Sequence, residues 1–241
     1  MERNNFKFEV CANSVESCIA AQDGGADRVE LCAGMSDGGT TPSYGEILVA
    51  RKVLSHILLH IIIRPRGGSF TYSPLEVERM IADIDISRQL GADGIVLGCL
   101  TPEGNVDKDL NARLLEHAEG MDKTFHRAFD VCSDSRQALE DIIQLGFNHL
   151  LTSGQQPAAI QGVQELGAIQ KQAEGRIQII AGSGVNEGNI AAIYSSTHIK
   201  EYHFSAREKI LSDDKKAQIW EQQFGERQIT TSNKVKATIH A

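Results

Sequence analysis

Short aliphatic and β-branched runs recur along the 241-residue chain, separated by stretches with apolar residues at helical spacing. Val77, Met80, Ile81, Ile84, Ile86 and Leu90 follow i, i+3, i+4 spacing and predict an amphipathic helix, with Ser73 and Pro74 as its N-cap and first helical residue. Three segments repeat one joint: GGADRVEL from Gly24, LGADGIVL from Leu90 and LGFNHLLT from Leu145. Glycine is favoured just past a helix end, so each joint reads as the helix-to-strand half of a βαβ unit. Strands are predicted over Phe6 to Ala12, Arg28 to Ala33, Leu58 to Arg66, Gly94 to Leu100, Lys123 to Asp130, His149 to Ser153, Gln178 to Gly182 and Glu201 to Ala206. Eight strands alternating with helices over about 200 residues predict a (β/α)8 barrel, with an open doubly wound sheet as the alternative. No Pro/Ser-rich linker divides the chain, so residues 1–241 read as one domain. Its barrel spans about residues 6–224, including an outer helix over Asp213 to Phe224. A polar tail over residues 225–241 follows, in which Ser232 would cap a short helix.

Strand parity sorts the polar residues, because alternate side chains face the helices or the barrel interior. Phe8, Val10, Val29 and Leu31 take the outer face. Lys7, Glu9, Cys11, Glu30 and Cys32 then point inward, so the repeated Glu-x-Cys of EVC and ELC becomes two neighbouring strands delivering one residue pair. Arg64, Arg66, Thr124, His126, Asp130, His203, Ser205 and Arg207 fall on the inner parity, whereas Arg127 does not. These groups gather at strand C-terminal ends, where barrel enzymes carry their chemistry. Three inward carboxylates (Glu9, Glu30, Asp130) cost several kcal/mol each, of order, unless compensated, and Arg64 and Arg66 are the candidate counter-charges. Gly182-Ser183-Gly184 after the seventh strand and Ser205 after the eighth fall where barrels frequently bind phosphate.

Composition narrows the partners. The net charge of −8 lacks the basic stripe that a nucleic-acid partner needs. The longest apolar run, Ile57 to Ile63, is strand-sized and interrupted by His60, so no membrane span is predicted. MERNNFKFEV lacks a signal-peptide apolar region, which predicts a cytoplasmic address. Five cysteines without a C-x-x-C pair predict free thiols, with Cys18 and Cys99 as small buried hydrophobes.

EVC, GGADR-ELC, GGTTPS, IRPRGG-F-YS, GADG-V-G-LT, TFHRAFD, LTSG and HFSAR run in order from Phe8 to Arg207. Together they resemble the CutC family, named for copper homeostasis. The resemblance implies a (β/α)8 barrel in the cytoplasm, a homodimer or homotetramer, and Cu(I) bound through the thiols at Cys11 and Cys32. After Arg207 the chain departs from the family pattern.

Two functional readings follow. Soft thiolates favour Cu(I), and Cys11 and Cys32 on adjacent strands could share an ion. The alternative is an enzyme for a small anionic or phosphorylated metabolite. In it Glu9 or Glu30 is the base and His126 the acid, with Asp130 orienting His126 or an arginine. Arg64 and Arg66 clamp the anion, and Ser153, Gly182, Gly184, His203 and Ser205 complete its site. A non-catalytic structural barrel is the third class.

Overall fold

Hydrogen bonds between the first and last of eight parallel strands close the sheet. Lys7 pairs with Glu201, and Glu9 with His203. The structure, a computed structural model, describes residues 3–210 and 227–241. The strands are β1 Lys7–Ala12, β2 Arg28–Leu31, β3 Leu58–Ile62, β4 Gly94–Leu97, β5 Asp122–Phe125, β6 His149–Thr152, β7 Gln178–Gly182 and β8 Glu201–Phe204. Around them lie α1 Val15–Asp23, α2 Tyr44–Val53, α3 Pro74–Gln89, α4 Lys108–His117, α5 Ser135–Gln144, α6 Val163–Ala173 and α7 Ile190–Thr197. The predicted (β/α)8 barrel is the fold, and the open sheet is excluded by closure of β8 on β1.

Local chemistry sets the helix starts. Ser73 accepts a hydrogen bond from the Glu76 N–H while the Glu76 side chain returns to the Ser73 N–H, with Pro74 at the first helical position. Ser43 and Glu46 repeat this box at α2. Val77, Met80 and Ile84 of α3 are buried against the barrel.

Parity is visible in the packing. Phe8, Val10, Val29, Leu31, Leu59 and Ile61 join the large core between strands and helices. Cys11, Cys32, Ile62 and Val96 form a separate apolar cluster inside the barrel. Lys7 breaks the expectation: it is exposed and reaches Asp27 at 3.5 Å, because it lies at the first position of β1. Most strands end before their predicted C-terminal residue, β3 and β5 by the widest margin. β3 stops at Ile62, where the Arg64 N–H turns to the Thr41 hydroxyl. β5 stops at Phe125, because His126 caps a 3-10 helix over Arg127–Val131.

The chain beyond β8 is more ordered than a polar tail. Arg207–Lys209 (β9) pairs antiparallel with Gln228–Thr230 (β10), and a final helix, α8, runs Ser232–Ile239. Its N-cap is Thr231 rather than Ser232, without a side-chain capping bond. Buried Val235 anchors it: a Cβ at Gly24 would lie 2.5 Å from Val235 Cβ. The helix predicted over Asp213 to Phe224 lies outside the described residues. Among the described residues no helix is long and apolar enough to cross a membrane.

Gly94 shows how tightly the interior is filled. A Cβ there would meet the His60 ring at 2.5–2.7 Å, and His60 is fully buried. Gly94→Ala should therefore destabilise by about 1–3 kcal/mol. A lower urea midpoint at unchanged m-value would show it; an unchanged midpoint would mean that the ring has room to move.

Candidate functional site

A cavity of about 490 Å³ opens at the C-terminal end of the barrel, and Cys11, Glu30, Met35, Arg64, His126 and His203 are among its walls. Beneath it lies a charged interior. The strand register sets Glu9 beside Arg28 and Cys11 beside Glu30, so the two Glu-x-Cys pairs are staggered by one inward layer. The Arg28 guanidinium donates to Glu9 through Nε and to Glu201 through Nη2 at 3.1 Å. His203 Nδ1 lies 2.7 Å from Glu9 Oε1, and its Nε2 lies 3.7 Å from Glu30 Oε2. His149 adds a contact to Glu201 at 3.4 Å.

Each ionisation follows from this arrangement. Burial alone would raise the Glu9 pKa, but Arg28 and His203 outweigh it and hold the carboxyl well below its usual range. Burial alone would lower His203, but Glu30, Cys11 and Glu9 together push it well above its usual value. Two cations, Arg28 and His203, thus face two ionised carboxylates, Glu9 and Glu201. Glu30 is the third carboxylate, and burial raises its pKa against the pull of His203. His60 is held neutral, its pKa pushed down to about 3 by burial.

Above this layer three sulfurs meet. Cys11 Sγ lies 3.6 Å from Cys32 Sγ, Cys32 Sγ lies 3.1 Å from Met35 Sδ, and Cys11 Sγ lies 3.9 Å from Met35 Sδ. Gly34, at φ +54, turns the chain after β2, and a 3-10 turn over Met35–Asp37 follows. A side chain at Gly34 would strike Thr40 Oγ1 at 2.5 Å. The hydrogen bond with Cys32, then burial, push the Cys11 thiol well above its usual pKa. Trigonal metal–sulfur bonds of about 2.3 Å place sulfurs roughly 4 Å apart, close to the observed triangle. Cys11, Glu30 and His203 also hold one ligand atom each within 4.8 Å of one another. That mixed set suits a metal less well, because His203 carries a proton shared with Glu9.

The other residues singled out from sequence divide. Arg64 lines the cavity, but its guanidinium donates to the carbonyls of Asp37, Gly39 and Gly68 and stacks over Phe70. It neutralises neither Glu9 nor Glu30; Arg28, on the same parity as Glu30, takes that role for Glu9. Arg66 lies outside the cavity and donates to Glu76 at 2.6 Å, so it does not form an anion clamp. Asp130 does not orient His126. It accepts from Arg127 Nε at 2.7 Å, Thr152 Oγ1 at 2.5 Å and the Ser153 N–H at 3.0 Å. Ser153 is fully buried within that cluster, its Oγ accepting from Arg127 Nη2 at 3.0 Å. His126 Nδ1 accepts from the Ala128 N–H, and burial with the charge of Arg64 pushes its pKa down to about 3. A neutral ring of this kind is a hydrogen-bond donor at Nε2, not a proton-delivering acid. Glu9 is 1% exposed and sits below the cavity wall, paired on both sides. Gly182 makes room for Leu151, whose Cδ1 would lie 2.5 Å from a Cβ, while Gly184, His203 and Ser205 line the cavity. Met35, Glu201 and His149 were not singled out, and Arg127 was set on the outer parity. Arg127 escaped because β5 ends before it and parity stops applying; Met35 follows a glycine turn that no strand pattern marks.

The Glu9–Arg28 pair yields a stability test. Arg28→Met strands a buried carboxylate and should cost about 3–5 kcal/mol, and Glu9→Gln in the same chain should return part of that loss. The contribution of Glu9 is present above its unfolded pKa of about 4.3 and lost as pH falls through its lower folded value. That of His203 is complete below about pH 6.5 and lost as pH rises through its raised folded value. Urea midpoints against pH should therefore fall less steeply in acid for Glu9→Gln than for the wild type; equal slopes would remove Glu9 from this role.

Residues 6–208 match the profile of the CutC family. A family protein CutC from Bacteroides thetaiotaomicron is 57% identical over 98% of each chain. The human copper homeostasis protein cutC homolog is 45% identical, over 85% of this chain and 74% of its own. A crystal structure of CutC from Streptococcus agalactiae superposes with a TM-score of 0.80 at 34% identity, covering 83% of this chain and 98% of that one. With the motifs spread from β1 to the end of β8, the chain belongs to the CutC family.

Proposed function

We propose that this protein binds Cu(I) in the barrel mouth through Cys11, Cys32 and Met35, and serves copper homeostasis from the cytoplasm. The observation that carries this reading is the triangle of three sulfurs with edges of 3.1–3.9 Å, of which Cys11 and Met35 line the cavity and Cys32 is fully buried. Two thiolates and a thioether form a soft donor set, which selects a cuprous ion over hard cations. A reducing compartment keeps both thiols free for metal. Glu30, whose pKa burial raises, lies beside Cys11 and can take up the proton that a metal displaces. The name of the human relative supports the copper assignment. The family resemblance further proposes a homodimer or homotetramer, which sedimentation equilibrium would test. The acid/base enzyme reading gains no support here, because His126 is neutral and Asp130 is fully engaged.

Anaerobic competition against a chromophoric Cu(I) chelator should give one ion per chain. Cys11→Ser/Cys32→Ser should lose more affinity than the roughly 10–100-fold typical of losing an outer-shell partner. Met35→Leu should weaken binding by about tenfold, and X-ray absorption should report an all-sulfur shell in the wild type. Unchanged affinity in the double cysteine variant removes this site. Since Cys11 is protonated at neutral pH, binding must displace its proton. Apparent affinity should rise from pH 6 to pH 8 by about tenfold per unit for each proton released, and a flat profile would contradict thiolate ligation.

A further inference from the structure

Two members of the sulfur triangle, Cys11 and Met35, line a cavity far larger than one ion needs. At about 490 Å³ it falls within the roughly 300–1,000 Å³ of small-molecule sites. Across the mouth, the segments after β7 and β8 carry donors without a partner among the described residues. The N–H groups of Gly184, Val185, Ser205 and Ala206 donate to no other described residue. Arg207 Nε is buried without a hydrogen-bond partner, and Arg207 forms no ion pair with another described residue. Val185, Ser205 and Arg207 line both the main cavity and an adjoining hollow of about 310 Å³, to which Ala206 and Lys234 also belong. The backbone here is held in left-handed conformations at Ser183 (φ 78), Gly184 (φ 68) and Ala206 (φ 45). Two of these three are not glycine, a cost that surrounding structure sustains most often at ligand clamps.

The charge balance points the same way. In the main cavity Arg127 is neutralised by Asp130, and Glu30 faces His203. Arg64 and Arg207 have no carboxylate partner among the described residues. The adjoining hollow contains Lys234 and one carboxylate, Glu187, and Lys234 lies 3.9 Å from Glu208. A chain of net charge −8 thus keeps, among the described residues, two guanidinium groups without a carboxylate partner at its cavity mouth, which draws anions inward.

We propose that the rim formed after β7 and β8 binds the phosphate of a small phosphate monoester, whose organic part fills the main cavity beside the sulfur triangle. Four amide donors plus the Arg207 guanidinium exceed what two carboxylate oxygens accept well. A phosphate dianion offers three strong acceptor oxygens. Barrels often place phosphate at the loops after the seventh and eighth strands. Here the eighth strand is followed by β9, which pairs antiparallel with β10, and Arg207 opens β9. The assignment is independent of the copper reading, since the rim shares no residue with the sulfur set.

The test uses the full chain labelled with ¹⁵N. Inorganic phosphate, glycerol 3-phosphate and glycerol are titrated at constant ionic strength, with sodium chloride as control. Saturable shifts are expected for the amides of Gly184, Val185, Ser205 and Ala206 with both phosphates, and none with glycerol. The ester should bind more tightly than inorganic phosphate. Arg207→Ala should weaken glycerol 3-phosphate by about tenfold or more, as losing one charge-assisted hydrogen bond implies, while Cu(I) affinity stays unchanged. Cys11→Ser/Cys32→Ser should keep the phosphate shifts, so either site can fail without the other. Rim amides that stay still, or that move equally with chloride, overturn the proposal, as does full affinity in a folded Arg207→Ala. If that variant does not fold, the wild-type amide shifts alone decide.

Discussion

Arg28 lies inside the barrel with its guanidinium bonded to Glu9 on one side and Glu201 on the other. These three groups come from β1, β2 and β8, so one buried ion cluster crosses the seam where the sheet closes. Desolvating such charges costs several kcal/mol per ion, of order, and only saturated pairing repays it. The cluster is therefore weak as a source of net stability but strong as a constraint. A strand slipped by one residue would leave a carboxylate unpaired in the interior.

The mouth chemistry rests on that layer. With Glu9 ionised against Arg28, His203 holds its proton between Glu9 and Glu30. Glu30 then faces one shared imidazolium, beside Cys11. The sulfur triangle sits among Ile62 and Val96, with Glu30 and His203 bordering it only at Cys11. Low-dielectric surroundings favour the neutral thiol in the absence of metal. A soft ion that replaces the protons carries positive charge into a place where two thiolates can match it. The geometry thus separates a charged layer that fixes register from an apolar layer that presents sulfur.

Much of this was legible in the chain. The barrel followed from three repeated helix-to-strand joints. The inward placement of Glu9, Cys11, Glu30 and Cys32 followed from parity, and the split between the two apolar clusters bears that out. Arg28 shares the parity of Glu30, two positions later, but was not among the residues singled out; Arg64 and Arg66 stood as the candidate counter-charges. Both of those lie beyond the end of β3, where alternation no longer specifies direction, and both satisfy loop partners. His126 and Asp130 do line the cavity as parity predicts, but so does Arg127, which parity set outward, because a 3-10 turn replaces the last part of the predicted strand. The tail looked polar because Val235 and Ile239, which dock on the barrel, are spaced among charged and hydroxyl residues.

By itself the sequence determined the eight-unit barrel, its helix caps and which strand residues face inward, since these depend on short-range spacing and on the steric alternation of extended backbone. Tertiary structure decided the rest. Register placed Arg28 rather than Arg64 against Glu9. The left-handed Gly34 brought Met35 over a cysteine pair that sequence separates by 21 positions. Closure of β8 on β1 set His203 between two glutamates more than 170 residues away in the chain. Contacts of that kind depend on which strands become neighbours and at what stagger, and no local pattern encodes either.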